Sequence, residues 1–146
     1  MPMTNLFLIA RIAGQRIALD AACIDSVVNV DAVTPVPMAP AHVSGLAALR
    51  SRVITIVDCR AALGLDAAPR ADVKRTVVVT LDGHQYGLVV DQVDDVCVIP
   101  GAAAPVRARL GPGWAGAARG MLDHEGESIL MLDPAAMVAG PAALAA

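Results

Sequence analysis

Aromatic side chains are almost missing from this chain: Phe7, Tyr86 and Trp114 are the only three in 146 residues. Single-stranded nucleic acids and sugars are gripped by stacking on aromatic faces, so both ligand classes are disfavoured. Lysine is scarcer still, with Lys74 alone beside scattered arginines and a net charge of -3. No basic stripe is available to neutralise a phosphate backbone, which removes duplex nucleic acid as a partner. Long apolar runs are missing too. LFLIA (6–10) meets charge within a few residues, far short of the roughly 18 to 20 apolar residues that cross a bilayer, so direct membrane insertion is not expected. No basic segment precedes LFLIA and no cleavage site suits an export signal, which points to the cytoplasm. Cys23, Cys59 and Cys97 are odd in number and form no CxxC pair, so they read as small buried hydrophobes rather than as a disulfide or zinc set.

The usual marks of catalysis are absent as well. His42, His84 and His124 stand far apart and form neither HExxH nor a facial triad; turns open to solvent account for them. Ser26, Ser44, Ser51 and Ser128 lack a GxSxG setting, and Gly111–Gly116 has glycines without the lysine that completes a phosphate cradle. The expectation is a protein without catalytic residues, metal or cofactor.

What the chain does have is a repeat. LFLIARIAGQRIALDAACIDSV (6–27) aligns without a gap on RTVVVTLDGHQYGLVVDQVDDV (75–96), pairing Gly14 with Gly83, Leu19 with Leu88 and Val27 with Val96 at an offset of 69. Further on, Gly45 precedes Asp58 by 13 residues, as Gly120 precedes Asp133, and SRVITIVD (51–58) lies over GESILMLD (126–133) at an offset of 75. One unit therefore spans about 6–65 and the other about 73–139, with the loop 66–72 between them and 140–146 as a frayed tail, all within a single domain of 1–146.

Segments 5–13, 16–20, 49–57, 74–82, 85–91 and 127–132 are rich in Val, Ile and Leu and bounded by turn signals, Asp82-Gly83 being a good hairpin pair. Strands this short must close up to hide their edges. The expected fold is therefore all-β: two small five-stranded β-barrels related by the repeat, with short helices. Asp58 and Asp133 each stand between a strand and a helical stretch. In the second, Pro134 occupies the first helical position, so both acids read as helix N-caps rather than as catalytic carboxylates. Trp114 has two readings, a lid over a barrel end or an exposed aromatic anchor at an interface.

Two segments carry a resemblance. Gly45-Leu-Ala-Ala-Leu-Arg50 runs into a strand that ends Val57-Asp-Cys-Arg60, and Gly87-Leu-Val-Val-Asp-Gln-Val93 follows in the second unit; together with Ile129-Leu-Met-Leu-Asp133 the pattern resembles the CheW family of chemotaxis coupling proteins over nearly the whole chain. The resemblance implies two SH3-like five-stranded barrels, no catalysis, and an adaptor recruited to membrane receptor arrays. There it would link the cytoplasmic tips of chemoreceptors, the methyl-accepting chemotaxis proteins, to the regulatory domain of the histidine kinase CheA.

It also implies a receptor contact in the groove between the barrels, here Ile24, Val27, Val28, Val43, Leu46 and Arg50, whose aliphatic side chains suit a docked helix. The family's usual pattern has Asn and Gly at Ala48 and Ser51, proline at Thr55, and at Ser26 a glutamate that pairs with the arginine here numbered Arg50. Asp25 is adjacent, but in a regular extended segment it points to the opposite face. The competing reading is a small-ligand-binding or sensory double barrel, which calls for an enclosed cavity with convergent polar groups.

Overall fold

The structure, a computed structural model, describes residues 6–65, 74–100, 103–106 and 110–140. Among these residues the chain forms ten strands: β1 (Leu6–Ile12), β2 (Gln15–Asp20), β3 (Ile24–Val30), β4 (Val43–Leu49), β5 (Arg52–Asp58), β6 (Lys74–Leu81), β7 (His84–Val89), β8 (Gln92–Val98), β9 (Ala118–His124) and β10 (Glu127–Leu132). Three short helices join them, α1 (Cys59–Ala62), α2 (Pro112–Ala117) and α3 (Pro134–Ala139), with a 3-10 turn at Ala21–Cys23. The strands make two five-stranded sheets, sheet A in the order β8-β1-β2-β10-β9 and sheet B in the order β3-β6-β7-β5-β4. This is the all-β class expected from the sequence, with few and short helices.

The repeat maps one sheet onto the other. Shifting β1, β2, β8, β10 and β9 to their counterparts β6, β7, β3, β5 and β4 turns the order of sheet A into that of sheet B. Each sheet thus takes two strands from one repeat and three from the other, and the division at 66–72 does not separate the sheets. Sheet B is the continuous stretch 24–89, whereas sheet A combines 6–20 with 92–132. The chain passes between sheets at Ala21–Cys23 and again at Val90–Asp91. The reason is hydrogen bonding: β2 finds its second neighbour in β10, through the parallel pairs Leu130–Ile17 and Met131–Ala18, as β7 finds β5 through Thr55–Tyr86 to Asp58–Val89.

Alternation along the strands divides the interior into three cores. The largest lies between the sheets. It holds Leu8, Ala10 and Ile12 of β1, Ile17 and Leu19 of β2 and Leu130 and Leu132 of β10, against Val57 of β5, Val77 and Val79 of β6 and Leu88 of β7; α1 and α3 add Cys59, Ala62 and Met137. The intervening residues turn the other way, Phe7, Ile9, Ala18 and Ile129 into the core of sheet A, and Ile54, Ile56, Val78 and Val89 into that of sheet B. Fully burying a Val, Leu or Ile side chain stabilises by about 1.5 to 3 kcal/mol, against about 0 to 1 kcal/mol for an exposed ion pair, so the shared core dominates the hold between sheets.

Gly45 and Gly120 occupy equivalent places. A Cβ on Gly45 would lie 2.1 Å from the Thr34 carbonyl oxygen, and one on Gly120 2.9 Å from that of Ala104. In both repeats the long connection crosses here, and it is pinned by paired backbone bonds, Thr34 to Leu46 at 2.8 and 2.9 Å and Ala104 to Met121 at 2.8 Å each way.

Two expectations change at the C-terminal end. His42 is buried rather than open to solvent: its Nε2 lies 2.9 Å from the Val138 carbonyl oxygen, and its ring occupies the space a Cβ on Gly140 would need. Gly140 is itself buried and bonds back to Ala136 at 3.1 Å, so it closes α3 instead of opening a tail; the rest of that tail, 141–146, lies outside the described residues, as do 66–72. Of the thiols only Cys59 is fully buried, while Cys23 and Cys97 are half-buried. Among the described residues no helix is long and apolar enough to cross a membrane.

Because neither repeat contains all five strands of either sheet, peptides 1–72 and 73–146 made separately are expected to lack stable β structure. Mixed in equal amounts they should regain it. Far-ultraviolet circular dichroism of each peptide and of the mixture checks this, and two independently folded peptides would contradict the topology.

Candidate functional site

The sites worth attention lie where β3 and β8 begin. Each strand carries one extra residue against its neighbour: the register steps from Ile24–Val79 to Ser26–Val78 in sheet B and from Ile9–Asp95 to Ala10–Val93 in sheet A, leaving Asp25 and Asp94 as the bulged residues. They are repeat equivalents at the offset of 69. Asp94 is held by Arg11 at 3.0 Å and by Arg16 at 3.5 Å, and Arg16 also reaches Glu127 at 2.5 Å. Asp25 instead accepts from Thr80, through a short hydroxyl bond, and from the Gln85 amide at 2.9 Å. Those two bonds, with some help from the charge of Arg52, hold the Asp25 carboxyl below its ordinary range against a small opposing effect of burial.

Beside Asp25 a cavity of about 290 Å³ opens, walled by Asp25, Ser26, Arg50, Arg52 and Gln85 over Val28, Leu49, Ile54 and Val78. The bulge brings Asp25 onto the same side as Ser26, where a regular strand would have turned it away. Strand alternation fails at that one residue. Arg50 lies at the β4–β5 turn, exposed and, among the described residues, in no ion pair. The turn itself is strained. Arg50 and Ser51 have φ of +48° and +70°, and the equivalent turns Ala13-Gly14, Asp82-Gly83 and Glu125-Gly126 all place glycine second.

The remaining expected site residues are spread over several faces. Ile24 and Val27, half-buried, pack on the core between the sheets, whereas Val28 packs on the core of sheet B and reaches the cavity. Val27 and Val28 therefore point to opposite sides of β3 and do not line one groove. Val43, half-buried, pairs with Val57 at the foot of β4. Leu46 is 36% exposed on the outer face of the β4–β5 ribbon, where Val53 joins it at 68%. Only Val28 and Arg50 of the expected six share the cavity.

Asp58 stands at the N-cap of α1, accepting from the Arg60 N–H at 3.0 Å, and Asp133 at that of α3, accepting from the Ala135 N–H at 3.0 Å, with Pro134 first in the helix. Asp133 also pairs with Arg119. Trp114, in α2, is half-buried against the core between the sheets.

One contact escaped the sequence reading although both partners lie in the quoted motifs. Arg60 grips Asp91 through Nε at 3.0 and 3.2 Å and Nη2 at 2.6 Å, and Asp91 also takes the Ala13 N–H at 2.7 Å. Asp91 lies where the chain passes from sheet B to sheet A, so the clasp ties α1, that passage and the β1–β2 turn together. Partial burial pushes the Asp91 carboxyl up, but the Arg60 hydrogen bonds, the Ala13 N–H and the Arg60 charge outweigh it, leaving it below the ordinary range. The thiols all move the other way. Burial raises Cys23, Cys59 and Cys97, with nearby acids adding to it, so none is poised as a thiolate nucleophile.

Among the described residues, the exposed apolar side chains borne by strands form two groups, with Val36 and Met38 exposed separately in the connection between β3 and β4. One lies on sheet B, Leu46 and Val53 on the outer face of the β4–β5 ribbon; the other on sheet A, where Val96 and Val98 of β8 are 49% and 66% exposed and Leu6 is paired with Val98. Two five-stranded sheets of interleaved repeats with short helices place the chain in the all-β class. Comparison gives the family: the CheW-like domain profile matches residues 6–141, and the chain belongs to that family. It is 28% identical over 124 residues to the chemotaxis protein CheW of Rhizobium meliloti strain 1021, covering 84% of this chain and 80% of that one. In fold it is similar to the scaffolding protein TtCheW of Thermoanaerobacter tengcongensis, with a TM-score of 0.78 at 22% identity over 91% of this chain and 90% of that one.

Two substitutions test these assignments. Replacing Ser51 by Gly removes a left-handed non-glycine residue and is expected to raise stability by about 1 kcal/mol in urea unfolding. Asp91→Asn addresses the clasp. The folded chain holds the Asp91 proton less tightly than the unfolded chain, so its pairing stabilises the fold above the ordinary carboxylate range and is lost as pH falls through the lowered value. Calorimetry should show the variant melting below the parent at pH 7, with the gap closing as the pH falls through and below the ordinary carboxylate range.

Proposed function

We propose that this protein is a non-enzymatic adaptor of chemotaxis signalling that couples the cytoplasmic tips of methyl-accepting chemoreceptors to the regulatory domain of the histidine kinase CheA, working in the cytoplasm at membrane receptor arrays. The observation that carries the reading is the pair of exposed apolar groups, one on each sheet. A protein that joins two others needs two surfaces that can be filled at once, and contiguous exposed aliphatic side chains are what a docking partner covers. Membership of the CheW-like family supports the same role.

The receptor contact belongs on the β3–β4 side. Leu46 and Arg50 offer the accessible part and Val53 extends it, exposed aliphatic side chains that suit a helix presenting its own at i, i+3 and i+4, while Ile24, Val27 and Val43 stay half-buried. Val28 serves as wall of the cavity and packing for sheet B. The β8 group, Val96 and Val98, is left for the kinase.

Leu46→Lys and Val53→Lys are expected to weaken capture of a receptor-tip fragment at least tenfold while leaving CheA binding intact, and Val96→Lys with Val98→Lys to do the reverse. Stability should stay within about 0.5 kcal/mol, as for other surface sites. Calorimetric titration against each partner reads the result. Loss of both interactions from either patch would mean that the two surfaces are not separate.

A further inference from the structure

We propose that the cavity at the start of β3 is a recognition pocket for a carboxylate, supplied by an acidic side chain of a partner protein beside an aliphatic one. The identity of the partner rests on the adaptor reading; the chemistry of the pocket does not. At the β8 end every guanidinium near the bulged Asp94 has an acid: Arg11 and Arg16 on Asp94, and Arg16 also on Glu127. At the β3 end Thr80 and Gln85 take the places of Arg11 and Arg16 and hold Asp25 by neutral hydrogen bonds, with the charge of Arg52 a lesser aid and no ion pair formed among the described residues. Arg52 stands where the other repeat has Glu127, and Arg50 where it has Glu125. Positive charge has moved from the inside of the site to its rim, and among the described residues neither rim arginine forms an ion pair. Arg52 donates from Nη1 to the side-chain amide oxygen Oε1 of Gln85 at 3.3 Å.

The space between them fits such a ligand. The cavity holds about 290 Å³, enough for a short side chain and part of its neighbour, with Val28, Ile54 and Val78 as an apolar floor. Two guanidinium groups and the single carboxylate of Asp25 leave the walls at a net charge of +1. Thr80 and Gln85 keep Asp25 ionised, so it remains a fixed negative wall that confines an incoming carboxylate to the arginine side. Guanidinium forks match a carboxylate in geometry as well as charge, and the floor rewards the methylenes behind it. The Arg50-Ser51 turn shares the left-handed conformation of the other three hairpin turns, and its first residue, Arg50, lines the cavity. A polypeptide, rather than a free small acid, is the occupant because the outer face of the same ribbon exposes Leu46 and Val53, which a small acid leaves uncovered.

Amide chemical shifts of the whole ¹⁵N-labelled protein provide the test, with three probes: N-acetyl-Glu-Leu-amide, its Gln-Leu counterpart and isocaproate. The Glu peptide should give saturable shifts at Val28, Leu49, Arg50 and Val78, and the Gln peptide should bind about tenfold more weakly, the factor expected for losing one charge-assisted contact. Arg50→Gln with Arg52→Gln should erase that difference, whereas Arg11→Gln at the other end should preserve it. Should the double variant misfold, raising the salt to about 0.5 M with the unchanged protein must shrink the Glu–Gln difference. Equal binding of the two peptides, or a difference that survives in the double variant, overturns the carboxylate pocket. Isocaproate binding as tightly as the Glu peptide overturns the polypeptide occupant. Capture of receptor-tip and CheA fragments by the same protein is read separately: failure there with the Glu–Gln difference intact sinks the adaptor reading and leaves the pocket standing.

Discussion

Six strands of this protein must satisfy two cores at once. In β1, Leu8, Ala10 and Ile12 face the partner sheet while Phe7 and Ile9 fill their own; in β6, Val77 and Val79 do the first and Val78 the second. Such a strand has no polar face, which is why LFLIARI and the Val77–Val79 run show no alternation between apolar and polar residues. The composition follows. Interiors of such small sheets have room for Val, Ile, Leu and Ala, and the three aromatic residues are partly or wholly tucked against these cores. Because the same strand serves both cores, a cavity made in one loosens the packing of the other, and the two sheets hold or fail together.

The repeat is conserved within the chain where geometry demands it and altered where chemistry differs. Both bulges, both glycines under the crossing connections and both aspartate caps are kept. Around the bulged aspartates the partners are exchanged, arginines for threonine and glutamine on one side and glutamates for arginines on the other. The scaffold is thus two-fold while its surface is not, and a protein of this kind can offer unlike faces to unlike partners without building a second fold.

The six strand segments visible in the sequence are β1, β2, β5, β6, β7 and β10, which are the interior members of the two sheets. The four that were not visible, β3, β4, β8 and β9, stand at the ends of the strand orders. Asp25, Ser26 and Asn29 interrupt β3, Asp94 and Asp95 interrupt β8, and Gly45 and Gly120 dilute β4 and β9. Polar and small residues there protect an edge and erase the apolar pattern. The barrel boundaries were illegible for a different reason: a repeat in sequence states which segments are alike and is silent on which of them pair. The site suffered from one assumption, that neighbouring residues in a strand face opposite ways. It correctly parts Val27 from Val28 and fails at Asp25, where a bulge intervenes. Arg60 and Asp91 lay in plain view in two motifs, but only the fold brings residues 31 positions apart within 3 Å.

The interleaving of the repeats carries a statement about origin. A single repeat owns two strands for one sheet and three for the other, so alone it would leave both unfinished. Two identical copies could complete each other only by exchange, as a swapped dimer with true two-fold symmetry. Joining the end of one copy to the start of the next, across residues 66–73, makes that dimer one polypeptide. Within one polypeptide each copy is free of having to match its own image, and the unlike partners of Asp25 and Asp94 are where the two copies differ.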